Sequence, residues 1–265
     1  MSDSSTQAGG NGEPAVLLER RERILIITLN RPEARNAVNA ALAAGVAAAM
    51  DELDDDPDLS IGVMTGAGKG FCSGMDLRAF VSGERPWAGD RGFAGITQRA
   101  SVKPLIAAIE GFAVAGGLEV ALSCDLIVAA RGARLGIPEV KRSLVASGGA
   151  LLRLPRTLPR NVAMEMAMTG DPIDAERAHA LGLVNRLTEP GGALEGALEL
   201  AAAIAENGPL ALAASKQILT ESVDWPESEF WTRQEEIAGP VMASDDAREG
   251  ATAFAEKRPP VWTGR

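Results

Sequence analysis

Apolar and polar positions along this chain follow two regimes, with the change near Gly148. Before it, short apolar runs alternate with helical patterns. Arg23-Ile24-Leu25-Ile26-Ile27-Thr28-Leu29 is rich in β-branched residues and bounded by charge and Pro32, which predicts a strand. Ala40 to Leu53 is alanine-rich and follows Asn39, a good N-cap, which predicts a helix. Asp54-Asp55-Asp56-Pro57 closes that helix. Carboxylates oppose the negative end of a helix dipole, so these aspartates are expected in the loop beyond it. Ile61–Thr65 and Pro104–Ile109 read as strands, each running into a glycine-rich loop. The second loop leads into a helix through Cys124, and Leu126–Ala130 is a strand again. Strands alternating with helices predict an α/β core whose helix N-termini lie at strand carboxyl ends, where such proteins bind ligands.

Beyond Gly148 the pattern turns helical over 148–154, 161–168, 174–182, 192–205 and 210–221, with Val184–Leu187 as the one convincing strand. The helices between Ala193 and Glu249 carry apolar stripes wide enough to need another surface.

Composition narrows the function classes. A chain of 265 residues, 46% apolar, can bury a sizeable core as one large domain or two small ones. No run approaches the ~20 apolar residues of a membrane span. Met1 to Pro14 is polar and glycine-rich, lacks the features of a secretory signal, and is expected to be a disordered tail. Two cysteines, Cys72 and Cys124, and a single histidine, His179, make neither a disulfide framework nor a metal motif, so no cofactor of that kind is expected. A reduced, cytoplasmic protein is the expectation. The net charge of −10 disfavours nucleic acid and anionic membrane as partners and obliges an anionic substrate to find a local basic patch.

The candidate chemistry lies in three segments. Gly111-Phe112-Ala113-Val114-Ala115-Gly116-Gly117-Leu118-Glu119 places a glycine pair at a helix start with a carboxylate one turn in. Unpaired N–H groups and the dipole make such a start suited to an oxyanion. Gly66-Ala67-Gly68-Lys69-Gly70-Phe71-Cys72-Ser73-Gly74-Met75-Asp76-Leu77 is a second small-residue loop. It lacks the Gly-Lys-Ser/Thr ending of a nucleotide P-loop. Either loop alone is equally well a tight strand-to-helix connection. Glu119 is framed by apolar residues, so its carboxylate must pair or have its pKa raised by desolvation. Glu139 follows Pro138 at the end of a short strand, twenty residues away, so only a returning chain can bring the two together. His179 is expected on an exposed helix face, with no Gly-x-Ser-x-Gly elbow to serve. Cys72 has no histidine nearby in sequence and reads as packing.

In their order these segments resemble the crotonase superfamily, the enoyl-CoA hydratase/isomerase group. The resemblance runs from about Glu19 to the C-terminus. It is carried by Asn30-Arg31-Pro32-Glu33-Ala34-Arg35-Asn36-Ala37, the two glycine loops, Cys124-Asp125-Leu126, Pro138-Glu139 and Phe254-Ala255-Glu256-Lys257-Arg258. It implies an α/β spiral of repeated ββα units over 15–192 and a helical subdomain over 193–265 for oligomerisation and CoA contact. It implies an oxyanion hole from the N–H groups of Met75 and Gly116, and Glu119 and Glu139 as the catalytic pair. Arg35, Lys69, Ser73, Asp76, Leu77, Arg78, Phe254 and Lys257 are the implied contacts to CoA or substrate. Coenzyme A is then part of an acyl thioester substrate, no further cofactor is implied, and the assembly is a homotrimer or hexamer. Glutamate at both positions favours hydration of a 2-enoyl-CoA. The alternatives are isomerase, lyase or hydrolase chemistry on an acyl-CoA, or an acyl-CoA-binding protein without catalysis. Glu33 departs from the basic residue of relatives, and Ser143–Ala150 departs from the Pro-Gly-Ala-Gly-Gly-Thr-Gln pattern near the acyl end.

Overall fold

The computed structural model describes residues 13–265. The expected disordered tail therefore lies outside the described residues, except for Glu13 and Pro14. The strands are β1 (Val16–Arg21), β2 (Ile24–Leu29), β3 (Ile61–Gly66), β4 (Leu105–Ile109), β5 (Phe112–Val114), β6 (Leu126–Ala130), β7 (Arg134–Gly136), β8 (Ile173–Asp174) and β9 (Arg186–Thr188). The helices are α1 (Ala40–Asp55), α2 (Leu77–Val81), α3 (Gly116–Ala121), α4 (Ala150–Thr157), α5 (Arg160–Thr169), α6 (Ala175–Ala180), α7 (Ala193–Ala205), α8 (Pro209–Glu221), α9 (Glu227–Met242) and α10 (Asp245–Glu256).

A six-stranded sheet in the order β1-β2-β3-β4-β6-β9 is parallel except for the β1–β2 hairpin. Its inner strands β2, β3, β4 and β6 are buried on both faces, which is why they read as continuous apolar runs. Alternate residues divide between two cores. Leu25, Ile27, Met64, Ala107 and Ile109 face α1 and the second layer. Ile24, Ile26, Ile61, Val63, Ile106, Ala108 and Val128 face the other way, against Ala193, Ala197, Leu198 and Ala201 of α7. So α7, assigned by sequence to the helical subdomain, covers the large sheet.

The second layer is a small sheet, β5-β7-β8, extended by single parallel bridges from Val38 to Met75 and from Cys72 to Ala113. Each turn of the chain thus gives one strand to the large sheet and a short extended piece to the small layer, then starts a helix. Val38 precedes α1, which Asn39 caps by accepting from Leu42 N. Met75 precedes α2, which Asp76 caps through Arg78 N and Ala79 N. β5 precedes α3, and β7 precedes a short 3-10 helix over Pro138–Arg142. This is the spiral of ββα units. Met75, Gly116 and Glu139 each lie at the helix start of a successive turn.

Two helix ends differ from the sequence expectation. Asp54 and Asp55 lie inside the last turn of α1. Asp54 Oδ1 accepts from Val102 N at 2.8 Å and Lys103 N at 3.2 Å, and Oδ2 is 3.8 Å from buried Arg91, which offsets the adverse dipole. The helix expected through Cys124 stops at Ala121. There Asp125 turns the chain back, its Oδ2 accepting from Leu105 N at 2.8 Å.

Candidate active site

The first glycine loop is held from beneath by Asn36. Its side chain is fully buried and donates to Ala67 O and Gly70 O, both at 2.9 Å, while its Oδ1 accepts from Arg31 N at 2.9 Å. Arg31 also donates to Ala37 O and pairs with Asp76 at 3.0 Å. Ser73 N donates to Arg35 O at 3.1 Å, which sets these two residues side by side.

The two glycine loops touch. A Cβ on Gly74, at φ 93°, would lie 2.8 Å from Gly116 N and 2.8 Å from Ala115 Cβ. Ala115, just before α3, sits at φ 53°, ψ −134°, a strained conformation for a residue with a side chain. Among the described residues neither Gly116 N, at the start of α3, nor Met75 N, just before α2, finds a protein acceptor. Phe93 closes the other side. A Cβ on Gly116 would come within 2.6 Å of its ring, and the Phe93 ring meets Trp87 edge-on at 5.5 Å.

Glu119, on α3, is 4% exposed. Its carboxylate lies in the turn that starts α4. Oε1 accepts from Ala150 N at 3.2 Å, and the amides of Gly148 and Gly149 also favour its ionised form. Desolvation outweighs them and raises its pKa. Glu139 stands in the first turn of the 3-10 helix. Burial is the main cause that pushes its pKa up to about 7, and the charge of Glu119 adds to the rise. The charge of Glu119 thus reaches Glu139 across the twenty residues between them. Glu139 Oε2 is buried with no hydrogen-bond partner among the described residues. An unsatisfied buried acceptor of this kind is costly unless a water or ligand group meets it.

The remaining predicted residues fall into two groups. Leu77 and Arg78 open α2, and both are exposed, as is Lys69 in the first loop and Arg35 beside it. The Asp76 carboxylate is engaged in capping α2 and pairing Arg31. Phe254, 87% exposed, and Lys257 lie at the far end of α10, which packs chiefly on α9. His179 is exposed, its Nδ1 2.8 Å from Val184 O. Cys72 is wholly buried and burial pushes its thiol up to about 12, so it packs and does not attack. Phe93, Asn36 and Arg153 shape the site without having been singled out from sequence. Asn36 lay within a quoted motif, whereas the other two acquire meaning only from contacts distant in the chain.

A ββα spiral with a buried and a half-buried carboxylate beside unpaired loop amides defines a crotonase-fold enzyme. The family model for enoyl-CoA hydratase/isomerase matches residues 19–265, and the chain belongs to that family. It is 58% identical to a structurally characterised enoyl-CoA hydratase from Mycobacterium tuberculosis H37Rv, with 96% of this chain and 100% of that one covered and a TM-score of 0.94. It is 42% identical over 259 residues to enoyl-CoA hydratase EchA19 of Mycobacterium tuberculosis, covering 95% of this chain and 97% of the relative. A carnitinyl-CoA dehydratase of Salmonella typhi is 43% identical over 256 residues, covering 94% and 98%.

Proposed function

We propose that this enzyme adds water across the 2,3 double bond of a 2-enoyl-CoA to give a 3-hydroxyacyl-CoA. The observation that carries this reading is the pair Glu119 and Glu139: the first buried and the second half-buried, both raised in pKa, with the charge of Glu119 acting on Glu139 and Glu139 Oε2 unpartnered. Hydration needs one group to take a proton from water and another to give one to the α-carbon. Coupled carboxylates resist holding two charges, so near neutrality one proton stays in the site. Glu119 has amide donors that favour its charge, whereas Glu139 titrates near 7, so the proton is assigned to Glu139. In the forward direction Glu119 takes a proton from water, the hydroxyl oxygen bonds C3, and Glu139 protonates C2. The N–H groups of Met75 and Gly116 would hold the thioester oxygen as charge develops on it. The same steps reversed dehydrate a 3-hydroxyacyl-CoA.

Coenzyme A enters as part of the substrate, with no further cofactor. Lys69 and Arg78, exposed beside the first loop, supply the local positive charge that an acidic protein needs for its phosphates. The exposed Leu219, Val223, Trp231, Met242 and Phe254 of the C-terminal region support assembly into a homotrimer or a pair of trimers, with Phe254 and Lys257 reaching a neighbour's CoA.

The test follows loss of the enoyl-thioester absorbance with a panel of 2-enoyl-CoAs of differing chain length. Wild type should turn over at least one of them. Glu119→Gln and Glu139→Gln should each lower kcat by about 10²–10⁴, the scale of acid–base catalysis. Tight acyl-CoA binding without turnover on any member would overturn the hydratase reading in favour of a binding protein.

A further inference from the structure

Half-buried Arg153 has no carboxylate within 4.0 Å among the described residues, unlike buried Arg91 and half-buried Arg31, each of which is paired. Its Nη2 donates to Thr97 O at 2.7 Å and its Nη1 to Gly148 O at 3.4 Å. A Cβ on Gly149, at φ 109°, would collide with Nη1, so the guanidinium lies directly across the Gly148-Gly149 turn. That turn is the one whose amides meet Glu119. Thr97 belongs to the loop that carries Phe93, the ring packed on Gly116. One guanidinium thus fastens the cradle of the carboxylate to the loop that backs the glycine pair.

We propose that Arg153 is the positioning residue of Glu119, its fork fixing from α4 the Gly148–Ala150 turn that cradles the carboxylate and its charge favouring the ionised form. The proposal rests on the reading of Glu119 as a base. Arg153 is the charged group that favours the ionised form of Glu119, and the charge of Glu119 in turn raises the pKa of Glu139 on the 3-10 helix. Burial disfavours the guanidinium's charge, and Glu119 is first among the groups that offset this. An arginine in such a place keeps its proton, so the carboxylate is what responds. Arg153 touches neither substrate nor reacting atoms in this scheme. It acts through Glu119.

The experiment uses the full chain with carboxyl-13C glutamate and reads the Glu119 titration directly, with kcat and KM measured across pH in parallel. Arg153→Gln keeps donor groups and removes charge. Arg153→Lys keeps charge and removes the fork. In Arg153→Gln the Glu119 midpoint should rise by about one pH unit, and the acid limb of kcat/KM should move with it. In Arg153→Lys the midpoint should stay near wild type while kcat falls about tenfold with little change in KM, because the tie between Thr97 and Gly148 is lost. A slower Arg153→Gln enzyme with an unmoved midpoint and pH profile would make Arg153 a structural residue only. If Arg153→Gln does not fold, a Lys variant with wild-type kcat overturns the proposal by itself. The titration needs no turnover. A shifted midpoint in a protein inert to every enoyl-CoA refutes the hydratase reading and leaves the positioning role standing.

Discussion

Replacing Gly148 by alanine perturbs the site through a single methyl group. Gly148 does not occupy the left-handed region, so alanine is acceptable to the backbone there. The cost arises from Glu119, because the new Cβ would lie 2.5 Å from Oε2 and 2.9 Å from Cδ. Carbon and oxygen in contact rest at about 3.3 Å or more, so the carboxylate or the turn must yield by about 0.8 Å. Glu119 is held on the other side by Ala150 N at 3.2 Å, a bond that such a shift stretches. Misplacing a reacting group by about 1 Å costs on the order of 10²-fold in rate, so kcat should fall about 30–100-fold. KM should change far less, since neither loop amide is touched. Overpacking should cost about 1–3 kcal/mol, seen as a Tm lower by several degrees. The assay is enoyl-thioester absorbance at saturating substrate, with a crystal structure of the variant. Shortening Glu119 to aspartate withdraws the carboxylate from the methyl, so Glu119→Asp and Gly148→Ala should be strongly non-additive. A Gly148→Ala enzyme with wild-type kcat would refute the claim that Glu119 must sit in this cradle to work.

Between about pH 4.5 and 7 the folded protein holds a proton on Glu139 that the unfolded chain releases, so this group's contribution to stability is full at low pH and is lost as pH rises through 7. Glu139→Gln should therefore be more stable than wild type at pH 8, on the order of 1–3 kcal/mol, and not at pH 4, as measured by urea melts. Equal stabilities at pH 8 would contradict the burial of its charge. Lys257→Ala should raise KM for CoA esters several-fold with kcat unchanged, and sedimentation should give a trimer or hexamer whose interfaces exceed ~2,000 Å² per pair. A fully active monomer at micromolar concentration would dismiss the shared site.

What was legible in the sequence was what physics writes locally. The runs that became β2, β3, β4 and β6 are apolar on both faces, and Asn39 capped α1 where expected. Glu119 stood out because a carboxylate among apolar neighbours has to be explained. β1 was not legible: as an edge strand with its residues exposed or half-exposed, it carries charge in place of alternation. The small layer was not legible either, since Val38 and Cys72 enter it through single bridges and β8 has two residues. No periodicity fits in so little chain. The aspartates of α1 misled because their partners, Arg91 and the amides of 102 and 103, are some forty to fifty residues away. Arg153 read as one more residue of a predicted helix until Thr97 O and Gly148 O appeared beside it.

The placement of α7 bears on how a ribosome must deliver this protein. Ile24, Ile26, Ile61, Val63, Ile106 and Val128 form a continuous oily face whose cover, among the described residues, is α7. Roughly 75 residues separate the end of β6 from the end of α7, about 4–15 s of elongation at ordinary rates. Throughout that interval the emerging sheet is sticky, and a fragment cut at residue 192 would remain so permanently. Expression of the core alone should yield aggregates or chaperone-bound chains, whereas ending the chain after Ala205 closes the face. The helix that sequence grouped with assembly is first of all the lid that keeps the newborn sheet in solution.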